Sequence, residues 1–537
     1  MKNIIIAATL LLFVCQAAWS QSGRPNILFI LSDDHGYQAI SAYGNKLIQT
    51  PSIDRIAKDG ALFRNAVVAN SICGPSRATL LTGTFSHKNG YKLNDGVLDT
   101  IQHFLPELLN EQGYQTAWIG KWHLGSLPRG FGYWQVMPVQ GHYFNPDFIR
   151  QDRDTVVYHG YVSDIITNLT LDYLNNRDKD KPFFLVVGEK ATHREWLPDV
   201  RDLGAYDAIQ FPLPKTFYDN YEGRVPASQQ RMEVGKVLSL DDDLKIHQPF
   251  GKKKKINKVN NLSQREGKEM DNATMLYYQE GEYSRMDSAQ STAYNLYYGK
   301  IGAKFDSMHL SGKQLTEWKY QRFLKDYYTT AKSMDRNIGK ILDYLDSTGL
   351  IKNTIIIYAS DQGFYLGEHG WFDKRFIYDP SLKTPLIIYD PQLPQLKGKE
   401  FSQIVSNVDW APTILDMAGI CTPNYMQGHS FLPLLKDSST KNWSKGAYYH
   451  YYETPGPHNV PAHFGIRTDR YMLACFYGQH IYWELYDVEK DPDEVHNLYR
   501  DKKYKSLFHE MKNKLRKLIL QYDDKEALEL LDHPQLK

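Results

Sequence analysis

Four short apolar runs, each ending abruptly in charged or polar residues, constrain this chain more than any other feature. Asn26 to Leu31 stops at Ser32-Asp33-Asp34-His35-Gly36, and Thr116 to Ile119 leads into Gly120-Lys121-Trp122-His123. Phe183 to Val187 leads into Glu189-Lys190-Ala191-Thr192-His193, and Thr354 to Ala359 into Ser360-Asp361-Gln362-Gly363. The runs are β-branched or aromatic and too short for helices, so they read as buried strands. Helical stretches such as Leu105 to Gln112 and Leu324 to Leu345 lie between them. Alternation of this kind predicts an α/β fold, with a large, mainly parallel sheet flanked by helices. Sites in such sheets form outside the carboxyl ends of the strands, and all four runs deliver charged side chains there.

The rest of the chain divides around that sheet. Lys2, the apolar run Ile4 to Val14 and the small residues Ala17, Ala18 and Ser20 predict a secretory signal peptide over residues 1–20. The run is too short to span a bilayer, and no later segment approaches transmembrane length. A periplasmic or secreted protein is therefore expected; Val14, where a small residue would precede a lipidated Cys15, argues against a lipid anchor. A catalytic domain is expected over 21–435, with a polar helical insertion at about 218–318. Within it, Lys252 to Lys255 reads as a solvated loop. Residues 436–537 read as a smaller C-terminal α+β subdomain, with short strands at Ala447 to Tyr452, His463 to Thr468, Tyr471 to Phe476 and Trp483 to Tyr486, then a helix from Ser506 to Tyr522. Lys plus Arg (63) balances Asp plus Glu (62), which removes any electrostatic case for nucleic acid as a partner.

Two groups of residues carry candidate chemistry. Asp33, Asp34, Asp361 and Gln362 offer hard oxygen ligands from two strand ends, suited to Ca²⁺ or Mg²⁺ and not to zinc. Taken alone, each dipeptide is also an ordinary strand-to-loop turn. The second group is Cys73-Gly74-Pro75-Ser76-Arg77. Pro75 suits a first helical turn, placing Cys73 at a helix N-terminus where anions are favoured. Such a cysteine is either a reactive nucleophile or a buried structural thiol. Cys73, Cys421 and Cys475 are an odd number once the signal is removed, and the residues leave open whether Cys421 and Cys475 pair.

The stretch Cys73-Gly74-Pro75-Ser76-Arg77-Ala78-Thr79-Leu80-Leu81-Thr82-Gly83 resembles the signature of type I, formylglycine-dependent sulfatases. Asp33-Asp34 before it and Gly120-Lys121-Trp122-His123-Leu124-Gly125 after it extend the match over nearly all of the mature chain. Ser360 to Arg375, Tyr448 to Glu453 and Phe464 to Thr468 resemble the N-acetylglucosamine-6-sulfatase branch of bacterial glycan sulfatases. The resemblance implies an alkaline-phosphatase-like fold, a calcium ion, a sulfated glycan substrate, and oxidation of Cys73 to Cα-formylglycine by a separate maturase. In that mechanism one hydroxyl of the hydrated aldehyde attacks sulfur and releases the sugar alcohol, and the other expels sulfate.

Roles carry over position by position. Asp33, Asp34, Asp361, Gln362 and modified Cys73 would hold calcium. Arg77 would stabilise the formylglycine diol, and Lys121 and Lys374 would bind sulfate oxygens. His123 would assist release of sulfate, and His193 would protonate the departing sugar oxygen. Asp373, Arg375 and His450 are candidate sugar contacts. Thr192 stands where the family commonly has proline, and Gln362 where many members have Asn or His. A sulfatase of other specificity and a phosphoesterase of the same fold are the alternatives.

Overall fold

The strands, in chain order, are β1 (Asn26–Ser32), β2 (Ala61–Val67), β3 (Gln115–Lys121), β4 (Tyr133–Met137), β5 (Asp147–Arg150), β6 (Thr155–Val157), β7 (Phe183–Gly188), β8 (Thr354–Ser360), β9 (Tyr365–Leu366), β10 (Phe372–Asp373), β11 (Leu386–Tyr389), β12 (Lys399–Ser406), β13 (Gly446–Tyr451), β14 (His463–Thr468), β15 (Tyr471–Phe476) and β16 (Tyr482–Asp487). The computed structural model describes residues 23–99, 101–252, 281–437, 443, 446–454 and 456–532. The expected signal peptide and Lys253 to Lys255 lie outside the described residues.

Ten strands form one sheet in the order β12-β2-β11-β8-β1-β7-β3-β4-β5-β6. Its centre, β8-β1-β7-β3-β4, is wholly parallel. Antiparallel pairs appear only outside that centre, where β11 joins β8 and β2 and where β5 joins β4 and β6. The four apolar runs of the sequence are thus β8, β1, β7 and β3, side by side. Their register pairs Ser32 with Ser360, and both Leu31 and Gly120 with Gly188. All four chains therefore leave the sheet on one edge at nearly one level.

Burial on both faces explains why these strands are continuously apolar. Phe29, Leu31, Trp118, Phe184, Val186 and Ile357 face one core, with Leu80, Leu105, Leu109 and Ile414 from helices. Leu28, Ile30, Ile119, Leu185, Val187 and Tyr358 face the other, with Ile166, Met334, Ile338 and Ile341. The helix holding Met334 to Ile341 runs Gly312–Ser347, longer than its apolar spacing alone indicated.

The described part of the polar stretch from Tyr218 holds the helices Val225–Gln229, Val234–Val237 and Ser288–Met308 among turns and irregular segments. Asp287 starts the last of these by accepting from the Ala289 and Gln290 amides, while Gln290 bonds back to the Asp287 amide. Its Tyr294 and Tyr298 are buried against the second core.

The C-terminal strands form an antiparallel sheet, β13-β14-β15-β16. Phe464, Leu473 and Leu485 face the helices Lys505–Tyr522 and Lys525–Asp532 through Met511, Leu515 and Leu530. The opposite face presents Tyr449, Ala474 and Phe476 to Trp371, Phe376 and Tyr378. Cys475, on β15, is a buried free thiol, so it is not bridged to Cys421.

Candidate active site

Asp33 and Asp34 follow β1, and Asp361 and Gln362 follow β8. One carboxylate oxygen from each of Asp33, Asp34 and Asp361 lies within 4.8 Å of the others, and all three residues are buried. Three carboxylates packed this closely repel one another in a low-dielectric site. Burial and the neighbouring Asp33 push Asp361 up to about 7. Burial also raises Asp34, against the opposing pull of Lys374. Asp33 is instead held well below the usual range, because Lys121, His193 and Arg77 outweigh its burial. Gln362 donates through Nε2 to Asp34 Oδ1 at 2.6 Å, while its buried Oε1 has no hydrogen-bond partner among the described residues. Three buried carboxylates this close, with the Gln362 amide bonded to one of them, are an oxygen-rich group that fits a hard divalent cation.

Cys73 opens the helix Cys73–Thr82, every residue of which is buried. Its Sγ lies 3.4 Å from both Asp33 Oδ1 and Gln362 Nε2, at the centre of the ligand group. Burial and Asp33 push the thiol well above its ordinary pKa. The helix is locked in place from within. Ser76 Oγ donates to the Asp361 carbonyl and accepts from Asn407 Nδ2 at 2.9 Å. Arg77 bonds Asp361 Oδ2 through Nε at 3.0 Å and Nη2 at 2.9 Å, and the Lys121 carbonyl through Nη1 at 3.0 Å. Gly74 packs on Tyr91, where a Cβ would come within 2.5 Å of the ring.

Lys121 bonds Asp33, and Lys374 Nζ lies 2.6 Å from Asp34 Oδ2. Gly120 makes the Lys121 placement possible. Its φ of +103° is one that glycine tolerates, and a Cβ there would sit 2.0 Å from the Gly188 carbonyl oxygen. His193 Nδ1 donates to the Arg194 carbonyl at 2.7 Å, which leaves Nε2 facing Asp34 at 3.9 Å. Tyr143 Oη holds the His193 carbonyl at 2.6 Å, and Asp243 grips Arg194 through both of its oxygens. Burial and then Lys121 push both His193 and His123 well below the ordinary imidazole value. His35 and His369 are buried and bonded to Tyr358 and Asp219 respectively.

Gln140 carries no motif and is invisible in the sequence. Its Oε1 accepts from Lys121 Nζ and its Nε2 reaches His123 Nε2 at 3.1 Å, tying two predicted site residues together. Beside Lys374, the buried Arg375 Nε lies 3.2 Å from Asp373 Oδ2, and Nη1 reaches Glu453 at 2.6 Å and Tyr451 Oη at 3.2 Å. Asp34, His123, Asp373 and Arg375 all have positive φ, a conformation L-residues keep only where surroundings over-determine it. His450 is placed elsewhere. It is 2% exposed, bonds Asp524 at 2.7 Å and Tyr477 Oη at 2.8 Å, and stacks on Tyr452. The structure does not bring it to the Cys73 group.

A carboxylate nest around a helix-terminal cysteine, ringed by two lysines, an arginine and two histidines, defines a hydrolase of anionic esters on an alkaline-phosphatase-like sheet. The chain belongs to the sulfatase family, the sulfuric ester hydrolases. The Sulfatase family model matches residues 25–420, and that of N-sulphoglucosamine sulphohydrolase, C-terminal, matches 367–521. An N-acetylglucosamine-6-O-sulfatase of Bacteroides thetaiotaomicron is 43% identical over 512 residues, covering 94% of this chain and 88% of that protein. Human N-sulphoglucosamine sulphohydrolase is 26% identical over 95% of this chain and 92% of its own length. A solved structure of a protein in complex with its substrate D-glucosamine-2-N,6-O-disulfate matches with a TM-score of 0.85 at 41% identity, covering 94% of this chain and 99% of that one. A phosphonate monoester hydrolase of Agrobacterium radiobacter, at 20% identity and a TM-score of 0.62 over 93% of this chain and 96% of its own, shares the fold.

Proposed function

We propose that this sulfatase removes the 6-O-sulfate of N-acetylglucosamine, or of glucosamine, from the end of heparan-sulfate, keratan or mucin-type glycans. The observation that carries the reading is the 43% identity, over 94% of the chain, to an N-acetylglucosamine-6-O-sulfatase. The substrate held by the solved relative, sulfated at the same 6-O position, supports it.

Asp33, Asp34, Asp361 and Gln362 would hold Ca²⁺, with Cys73 completing the set; the ion supplies positive charge for the sulfuryl oxygens. Conversion of Cys73 to Cα-formylglycine by a maturase supplies the hydroxyl nucleophile. Lys121 and Lys374 bind sulfate oxygens as point charges. Arg77, its guanidinium fork already engaged on Asp361 and the Lys121 carbonyl, orients the helix end that presents residue 73. His193 gives the proton on Nε2 to the departing sugar oxygen, and the negative charge of bound sulfate counters the push of Lys121 against its protonation. His123, held by Gln140, takes a proton as sulfate leaves. Asp373 and Arg375 hold sugar hydroxyls at the rim.

The apolar run Ile4 to Val14 supports export to the periplasm or beyond. No helix among the described residues is long and apolar enough to cross a membrane.

Two measurements test the reading. The tryptic peptide Asn65–Arg77 from the native host is expected roughly 18 Da lighter than its thiol form, since sulfur gives way to a carbonyl oxygen. Release of sulfate is then measured on N-acetylglucosamine 6-sulfate, N-sulfoglucosamine 6-sulfate, galactose 6-sulfate and an aryl sulfate. Preference for the galactose or aryl ester would replace the proposed substrate, and an intact thiol in active enzyme would remove the formylglycine.

A further inference from the structure

We propose that His458 is a positioning residue for sugar recognition, acting through Asp373; this deepens, and rests on, the reading of Asp373 as a sugar contact. His458 belongs to the turn Pro457–Asn459, which follows β13 and lies 85 positions from Asp373 in sequence. Its Nε2 stands 3.0 Å from Asp373 Oδ2, and its side chain is 15% exposed.

The turn is pinned to the helical insertion rather than to its own sheet. The Arg231 amide donates to the His458 carbonyl at 2.6 Å, and His458 Nδ1 meets the Arg231 carbonyl at 2.7 Å. Asn459 Nδ2 donates to the Gln229 carbonyl at 2.7 Å. The Phe372 amide, one residue before Asp373, donates to the Met232 carbonyl at 3.0 Å, and the Phe372 ring meets the His458 ring edge-on at 5.6 Å. Residues 229–232 therefore hold both partners of the His458–Asp373 contact in one frame.

Ring chemistry makes the contact directional. A carbonyl oxygen only accepts, so Nδ1 carries a proton toward Arg231. Nε2 faces the Asp373 carboxylate at hydrogen-bond distance, where a bond to the charged oxygen is charge-assisted. Asp373 is then gripped from three sides: by His458, by Arg375 Nε at 3.2 Å, and by Lys374 Nζ at 3.3 Å. Lys374 also bonds Asp34, so a carboxylate released by His458 would swing toward Lys374 and compete for it. The φ values of +81° at Asp373 and +63° at His458 belong to backbone that such contacts must hold in place. His458 thereby sets where the Asp373 oxygens, and the Arg375 fork beside them, meet a sugar.

The experiment is a double-mutant cycle on the sugar sulfate that wild-type enzyme cleaves, reading kcat and KM separately, with a thermal melt of each variant. His458→Ala is expected to raise KM about tenfold with kcat within about twofold. His458→Gln, whose amide N–H reaches in place of Nε2–H, should recover most of that loss. In the Asp373→Ala background the His458→Ala effect should fall below about twofold. An unchanged KM in His458→Ala overturns the proposal, and so does an equal loss with and without Asp373, which would mean that His458 touches the sugar itself. Should the alanine variant not fold, a KM near wild type in His458→Gln against a raised KM in His458→Leu, both with Asp373 intact, is the expected pattern, and equal KM in those two variants overturns it. Cleavage of a sugar other than a glucosamine 6-sulfate defeats the substrate reading alone, because the cycle runs on whichever sugar is cleaved.

Discussion

Gln362 illustrates how one side chain acquires its role from its surroundings. One end of its amide is spent on Asp34 and Cys73, and the buried oxygen at the other end has no protein partner among the described residues. That oxygen is expected to be a calcium ligand. Calcium added to chelator-treated enzyme should raise the melting temperature, by a stabilisation of about 2.7 kcal/mol when the ion is at 100 times its Kd. Gln362→Ala should show a smaller rise and need more calcium to recover activity. A variant that gains as much as wild type, at the same calcium concentration, would remove Gln362 from the ligand set. The carboxylates at 33, 34 and 361 were readable because Asp-Asp and Asp-Gln each stand directly after an apolar run. Gln140 was not, because a glutamine in an irregular loop has no pattern, and only folding brings it between Lys121 and His123.

Among the elements, the C-terminal sheet is joined to the main body by polar groups buried in an aromatic layer. Glu484 on β16 accepts from Tyr378 Oη at 2.6 Å and Tyr486 Oη at 2.9 Å. Burial outweighs these two bonds and pushes its carboxyl from 4.5 up to about 7. A carboxyl raised in the fold binds more protons folded than unfolded between those values, so its contribution is complete below about 4.5 and is lost as pH rises through about 7. The loss is on the order of 3 kcal/mol. Glu484→Gln, permanently neutral, should show a shallower fall of its denaturation midpoint from pH 5 to 8 than wild type. Equal slopes for the two proteins would mean that Glu484 ionises freely. His450 belongs to this scale too. The expectation of a sugar contact rested on its place in the Tyr448-to-Glu453 stretch. On β13 alternate residues face opposite ways, so His450 shares a side with Tyr448 and the helices, while Tyr449 and Tyr451 face the main body.

For the whole molecule, the two sheets meet beside the proposed site. The strand ends of the large sheet and the helix Cys73–Thr82 carry the proposed nucleophile, the proposed ligand group and Lys121, while the C-terminal segment places Tyr451, Glu453 and His458 around Arg375 and Asp373. Phe85 and Val408 of the main body are buried with Tyr448 and Phe464 of the C-terminal sheet, so the interface is a continuous core. A chain ending at Lys436 should therefore lose activity and expose apolar surface, seen as a rise in binding of a hydrophobic dye and poor soluble yield. Soluble truncated protein that still cleaves the sugar sulfate would show that the rim groups are dispensable.

The amino-acid sequence by itself determined the parallel centre of the sheet, the strand ends that carry the charged groups, and the helix that starts at Cys73. These depend on local apolar runs, turn residues and short-range motifs, which a chain carries wherever it folds. Only the tertiary structure decided which loops close over that edge. It set His450 into a buried network and carried His458 to Asp373. It also left the buried amide oxygen of Gln362 without a hydrogen-bond partner among the described residues. Those outcomes depend on contacts between residues far apart in the chain, where strand register and packing, not local pattern, choose the partner.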